Sequence, residues 1–328
     1  MLNVGIYGFG SIGRLIARVV LERGHDIVGV IDIDPSLVGR DAGEILGLGE
    51  RLGVRVSRDV VDLKGSDVVL HATGSYLDRV YDQILAVVDL GSDIVSTCET
   101  LAYPYYRYPV IARLIDERAR ARNVAVLGTG INPGFLLDTL VITISASTPL
   151  VRSIRAIRSL DAARRREPFR RKIGVGEDPG VVEAKLRSGE LTGHVGYAES
   201  VMLVAEALGV NPSRVLEHQE PVVAESDVES SGVIVRRGLN KGIRGYGVAY
   251  VGDREIIRVE LHAYVGAPEY EEVVVEGVDY TLRWRSNGTP GDMGTAAVVV
   301  SVAERIQDYG PGLLTMVDLI PFRLKLKP

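Results

Sequence analysis

The stretch Val4-Gly5-Ile6-Tyr7-Gly8-Phe9-Gly10-Ser11-Ile12-Gly13-Arg14 limits what this chain can fold into more than any other. An apolar run enters a GxGxxG turn, and Leu15, Ile16, Val19 and Val20 follow at helical spacing. Gly8 suits the tight turn, Gly10 lets the main chain approach a pyrophosphate, and Gly13 lets the helix pack on the strand. Free N–H groups and the dipole at the helix start favour phosphates. The context that the motif demands is present: a strand before, a helix after, then a second strand, Asp26 to Ile31. That strand ends in Asp32, nineteen residues beyond Gly13, about where an acid takes the adenosine ribose hydroxyls. The candidate dinucleotide cradle is therefore Gly8, Phe9, Gly10, Ser11, Ile12 and Gly13 with Asp32. The plainer alternative is a structural glycine turn in another α/β protein. Arg40 stands close enough in sequence to meet the 2′-phosphate of NADP, so NAD and NADP both stay open.

The chain has 328 residues, enough for two domains. Its net charge of −5 gives no field that would draw nucleic acid or an anionic membrane. The local exception, Arg164-Arg165-Arg166 with Arg170-Arg171-Lys172, reads as a solvated basic surface before it reads as an anion site. A single cysteine, Cys98, excludes an intrachain disulfide and fits a cytoplasmic setting. No charged leader precedes the first strand, and no apolar run approaches the length of a membrane span. Abundant Arg with few Asn and Gln fits a thermophile.

The first half alternates strand and helix, as a doubly wound parallel sheet does. Val54–Ser57 and Asp67–Ala72 read as strands, the second ending in Ala72-Thr73-Gly74-Ser75. His71 has apolar neighbours and reads as a satisfied, partly buried histidine. After a helix around Tyr81 to Val88, the strand Asp93–Cys98 delivers Glu99 to the carboxyl edge of the sheet, where ligands bind. A glutamate there suits acid–base chemistry, and equally a cap or a salt bridge. Cys98 reads as a small buried residue rather than a nucleophile. Leu101-Ala102-Tyr103-Pro104-Tyr105-Tyr106-Arg107-Tyr108-Pro109 reads as a loop, either walling a pocket or lying on the surface. A helix from Val110 to Arg122 and a strand from Val124 to Leu127 lead to a second glycine-rich turn, Gly128 to Phe135. There Pro133 fits the first turn of a new helix, with Asn132 as its cap.

From about Val151 the pattern changes. Ser153–Leu160 alternates apolar and polar residues, residues 178 to 190 are helical, and a helix opens after Gly193-His194-Val195-Gly196 and runs to Leu208. Val222-Val223, 233–235, 246–251, 256–264, 273–275 and 280–284 read as strands. This predicts a mostly antiparallel sheet with helices on one side, followed by an apolar helix from Asp292 to Asp308. The fold class is thus α/β: a Rossmann-type domain over residues 1–134, with 288–328 packing back on it, and an α+β domain over 135–287. The histidines at 25, 71, 194, 218 and 262 are isolated, and no metal-binding motif occurs.

Three segments together point to a family: Ser96-Thr97-Cys98-Glu99 with Tyr103-Pro104, Gly128-Thr129-Gly130-Ile131-Asn132-Pro133-Gly134-Phe135, and Gly193-His194-Val195-Gly196 with Glu199-Ser200. Gly288-Thr289-Pro290-Gly291-Asp292 and Pro311-Gly312-Leu313 add to the match. The chain resembles the 2,4-diaminopentanoate dehydrogenase and native amine dehydrogenase family, which has a dihydrodipicolinate-reductase-like fold. The resemblance spans nearly the whole chain. It implies a nicotinamide cofactor that exchanges hydride with an amine or imine carbon, and it implies Glu99 as the acid–base residue. It further implies that Ala72, Thr73, Gly74, Ser75, Cys98, Asn132 and Pro133 line the cofactor, and that subunits pair as a homodimer through the second sheet. Tyr103, Phe135 and His194 are the substrate-side candidates, His194 also reading as a structural histidine at a helix start. Thr100 stands where the family has a second acid. The expected activity is NAD(P)-dependent amine dehydrogenation, with a small amine or ketone and ammonia as partners. Cyclic imine reduction and dinucleotide binding without turnover are the competing readings.

Overall fold

A computed structural model describes residues 1–327. The chain forms two compact units, Met1–Phe135 with Pro290–Leu319, and Leu136–Thr289 with the segment from Ile320. The first is built on seven strands: β1 (Asn3–Tyr7), β2 (Asp26–Ile31), β3 (Val56–Ser57), β4 (Val68–His71), β5 (Asp93–Ser96), β6 (Ala125–Gly128) and β15 (Gly312–Leu314). Their order is β15-β6-β5-β4-β1-β2-β3, and every pair is parallel. Winding reverses at β1, which lies between β2 and β4, so the carboxyl ends of β1 and β4 flank the crevice where such sheets bind ligands.

Side chains of one strand separate to the two faces by period two. Val68 and Leu70 join one core with Ile16, Val20, Val299 and Val300, from the helices Ser11–Glu22 and Gly291–Ala303. Val69 joins the other with Ile84, Val88 and Ile115, from the helices Leu77–Leu90 and Pro109–Arg122. Burial on both faces explains why these strands read as unbroken apolar runs.

The second unit carries β7 (Val151–Asp161), β8 (Arg214–Val223), β11 (Asn240–Val251), β12 (Arg254–Tyr264), β13 (Tyr270–Gly277) and β14 (Thr281–Arg285), beside a small hairpin of β9 (Val228–Ser230) and β10 (Val233–Val235). The six-stranded order is β14-β13-β7-β12-β11-β8, parallel only between β7 and β12. The helix Tyr197–Ala207, apolar and almost wholly buried, covers one face.

Four expectations need correction. β8 begins at Arg214 rather than Val222, because its polar run and Pro221 belong to an edge strand, where apolar alternation is not required. Tyr103–Tyr108 is not a plain loop: Pro104 starts a helical turn through Arg107. No helix begins at Pro133. Gly134 takes φ +123°, outside helical space, and the next helix is Thr139–Ser145, capped by the Asp138 carboxylate on the Thr139 N–H. Finally, the chain beyond Leu319 clusters with the second unit, where the Leu324 N–H bonds the Ala207 carbonyl at 2.8 Å and Leu326 bridges Val151.

Candidate active site

The glycine turn between β1 and the first helix is held tightly on its inner side and open on its outer side. Gly8 sits at φ +95°, and a Cβ there would lie 2.5 Å from the Ala72 carbonyl oxygen. A Cβ on Gly13 would lie 1.8 Å from the Gly8 carbonyl oxygen. Gly10 differs: a Cβ there would meet nothing within 4 Å. No side chain caps the helix that starts at Ser11, so its first N–H groups lack an intrahelical acceptor. This is an uncapped helix start with a clear approach, and it fits a pyrophosphate.

Asp32 lies just past β2 and faces this turn. Its Oδ2 accepts the Phe9 N–H at 2.5 Å and its Oδ1 accepts the Asp34 N–H at 2.8 Å. The carboxylate is thereby oriented at the strand end by two main-chain donors. Arg40 stands in the next turn, its main chain paired with Leu37 and Val56 and its side chain exposed.

Glu99 opens a 3-10 turn, Glu99–Leu101, three residues beyond the end of β5. The turn packs against the end of β6, where a Cβ on Gly128 would lie 2.4 Å from the Leu101 carbonyl carbon. The Thr129 N–H donates to the Ser96 carbonyl at 2.8 Å, joining the Gly128–Phe135 turn to the same edge. The Glu99 side chain is half-buried and, among the described residues, enters no hydrogen bond or ion pair. Neither the salt bridge nor the cap that its position allowed is present. Its neighbour Cys98 is buried, and burial first, then the Glu99 charge, pushes the thiol up to about 12. A thiol so protonated is no nucleophile.

The β4 turn reaches the same edge. The Ala72 N–H donates to the Tyr7 carbonyl at 2.7 Å, and the Ser75 carbonyl accepts the Thr100 N–H at 3.2 Å. Thr100 is fully buried; its hydroxyl accepts the Leu77 N–H at 2.8 Å and donates to the Ser75 carbonyl at 3.3 Å. Thr100 is thus a tie between turns. Asn132 and Pro133, joined by a cis peptide, lie in the third turn at this edge, where the Ile131 N–H reaches Thr295 Oγ1 at 3.4 Å. Tyr103 stacks edge-on with Tyr105 at 5.8 Å, and Phe135 ends the first unit, half-buried.

His194 belongs to the second unit. Its N–H donates to Gln219 Oε1 at 3.0 Å, and its ring meets Tyr197 edge-on at 4.6 Å. Nε2 is buried and, among the described residues, has no hydrogen-bond partner. Burial, then the charges of Lys172 and Arg158, pushes the ring down to about 3, so it is neutral at ordinary pH. The basic cluster is spent within the unit: Arg164 pairs with Glu269, Arg171 with Glu167, and Arg170 bonds the carbonyls of Ala163 and Arg165. Sequence reasoning assigned Thr100 no task and His71 none beyond being satisfied. Among the described residues no group of His, Cys, Asp or Glu could hold a metal, and no helix is long and apolar enough to cross a membrane.

An uncapped glycine-turn helix at the switch point of a parallel sheet defines a Rossmann-type fold, with Asp32 after β2 and Glu99 at the same carboxyl edge. Comparison with known proteins narrows the class. Residues 135–325 match the 2,4-diaminopentanoate dehydrogenase C-terminal domain. The 2,4-diaminopentanoate dehydrogenase of Acetoanaerobium sticklandii is 33% identical over 97% of this chain and 93% of its own. An amine dehydrogenase of Streptomyces virginiae is 27% identical over 66% of this chain and 62% of its own. Among solved structures, an amine dehydrogenase from Mycobacterium smegmatis superposes with a TM-score of 0.85 at 22% identity, over 100% of this chain and 98% of its own, which shows a shared fold. The chain belongs to the 2,4-diaminopentanoate dehydrogenase family.

Proposed function

We propose that this chain is an NAD(P)-dependent amine dehydrogenase that interconverts a small or medium amine with its carbonyl compound and ammonia. One observation carries the reading: among the described residues, the Glu99 carboxylate at the ligand edge of the sheet has no hydrogen-bond or ion-pair partner. The family relationship supports it. When bound, the nicotinamide supplies the hydride acceptor or donor. The residues of the chain do the rest. The open N–H groups after Gly10 hold the pyrophosphate, and Asp32 takes the ribose hydroxyls, which favours NAD over NADP. Thr73 to Ser75 and Asn132-Pro133 flank the nicotinamide end, with Tyr103 and Phe135 on the substrate side.

Glu99, as a carboxylate, takes a proton from the substrate ammonium and so frees the nitrogen lone pair, which stabilises the iminium formed as hydride leaves carbon. It then moves protons for the attacking water and the departing ammonia. In the reductive direction its negative charge favours the cationic iminium.

The test is oxidation of NADH and NADPH against a panel of ketones and aminoketones, with and without ammonium, for wild type and Glu99→Ala. Ammonium-dependent turnover is expected, lowered at least about 100-fold in the variant, with NADH still bound. Turnover that ignores ammonium would instead indicate an imine or carbonyl reductase. NADH binding without any turnover would sink the enzymatic reading.

A further inference from the structure

Beside the Glu99 turn lies a polar unit centred on a buried histidine, His71, to which the reading above gives no role. His71, the last residue of β4, is completely buried, and its register partner across the parallel pair is Ser96, the last residue of β5. Its Nδ1 is 2.8 Å from Ser96 Oγ. Its Nε2 is 2.9 Å from Gln83 Oε1 and 2.9 Å from Thr73 Oγ1, and the Thr73 hydroxyl donates to the same Gln83 oxygen at 2.6 Å.

The orientation of the Gln83 carboxamide fixes the direction of these bonds. Its oxygen accepts twice, so the ring proton sits on Nε2 and Nδ1 accepts from the Ser96 hydroxyl. That hydroxyl in turn accepts the Cys98 N–H at 3.1 Å. An unbroken series therefore runs from the amide just before Glu99, through Ser96, His71 and Gln83, to the hydroxyl of Thr73. Burial pushes the imidazole down to about 4, which keeps it neutral, as this bonding pattern requires. The backbone adds a bond beside it, from the Thr97 N–H to the His71 carbonyl at 2.9 Å. An apolar side chain would fill this buried strand end as well. What the imidazole adds is an acceptor toward one turn and a donor toward the other, on opposite sides of a rigid ring.

We propose that His71 is a positioning residue: through Ser96 on one side, and Gln83 and Thr73 on the other, it locks the turn that carries Glu99 to the turn that faces the nicotinamide. The proposal rests on the amine dehydrogenase reading for what the two turns do, and on the hydrogen bonds alone for the lock itself.

Ser96→Ala, His71→Leu, their double variant and the conservative Ser96→Thr test it with two readouts. Amide hydrogen exchange needs no turnover. In each single variant, exchange is expected to quicken about tenfold both in residues 97–101 and at Ala72, the hydrogen-bonded amide next to the Thr73 turn. In steady-state kinetics, kcat is expected to fall about tenfold while KM and Kd for NADH move less than about twofold. The double variant is expected to be no slower than the slower single, because the residues act as one unit. Ser96→Thr, which keeps the hydroxyl, is expected to restore kcat to within about twofold. Ser96→Ala removes one oxygen and decides alone should His71→Leu fail to fold. Faster exchange confined to residues 96–101 in Ser96→Ala would overturn the lock, as would kinetic losses that multiply in the double variant. A wild type without turnover would count against the amine reading, and the exchange data would still decide the lock.

Discussion

Thr100 shows how burial restricts what one position can hold. The resemblance places a second acid there, yet the site is fully buried and its hydroxyl is committed to Leu77 and Ser75. A carboxylate at this point would need a buried cation, and none bonds Thr100. The hydroxyl instead pins the start of the helix Leu77–Leu90, whose first position has no side-chain cap of its own. Thr100→Val keeps the shape and leaves the Leu77 N–H unpaired. It is expected to cost about 1–3 kcal/mol in urea unfolding, while Thr100→Ser keeps the bond and costs less. Equal stability of the valine variant and the wild type would remove the tie from the account. The sequence singled out Glu99 by its place after an apolar strand. It could not tell whether that carboxylate was paired, because partners come from other strands.

Among the elements, β2 was legible to the residue, and the short helix after it, Ala42–Leu46, was not. Apolar runs and glycine turns are local signals, and they located six of the seven parallel strands; β15, three residues within a Pro/Gly stretch, was missed. What failed depended on neighbours. β8 is an edge strand whose polar residues meet solvent, so it lacks the alternation that marks a half-buried strand. The turn at Pro133 looked like a helix start until Gly134 took a left-handed conformation. The glycine turn offers a test that separates packing from binding. Gly10 has φ −69° and ψ −163°, which alanine adopts, and open space where its Cβ would stand. Gly10→Ala is expected to keep stability within about 1 kcal/mol but to weaken NADH binding at least about tenfold, since the methyl fills the pyrophosphate approach. Gly13→Ala forces a carbon against the Gly8 carbonyl and is expected to cost about 1–3 kcal/mol or more in stability. Fluorescence titration with NADH beside thermal melts distinguishes the two. Unchanged affinity in a stable Gly10→Ala protein would mean that the turn is structural only.

Across the whole molecule, each unit holds one buried, neutral histidine: His71 in the first, pushed down to about 4, and His194 in the second, pushed down to about 3, from an ordinary value near 6.5. Burial is the leading cause in both. The sign of the consequence follows from linkage. A folded-state value below the unfolded one means that the unfolded chain takes up the proton first as pH falls. Stability is therefore complete above about pH 6.5 and drains away as pH drops toward 4 and then 3. Each such proton contributes about 1.4 kcal/mol per pH unit where the unfolded ring is charged and the folded one is not. Near pH 5 the two together give a slope of about 2–3 kcal/mol per pH unit, to which titrating carboxylates add. The contribution of a single ring is isolated by His194→Phe, which keeps an aromatic ring beside Tyr197 and cannot take up the proton. Urea unfolding of this variant and the wild type between pH 7 and pH 4.5 is expected to give diverging curves, the variant shallower by about 1.3 kcal/mol per pH unit near pH 5. Parallel curves would mean that His194 titrates normally in the folded protein, and that its buried Nε2 is reached by water.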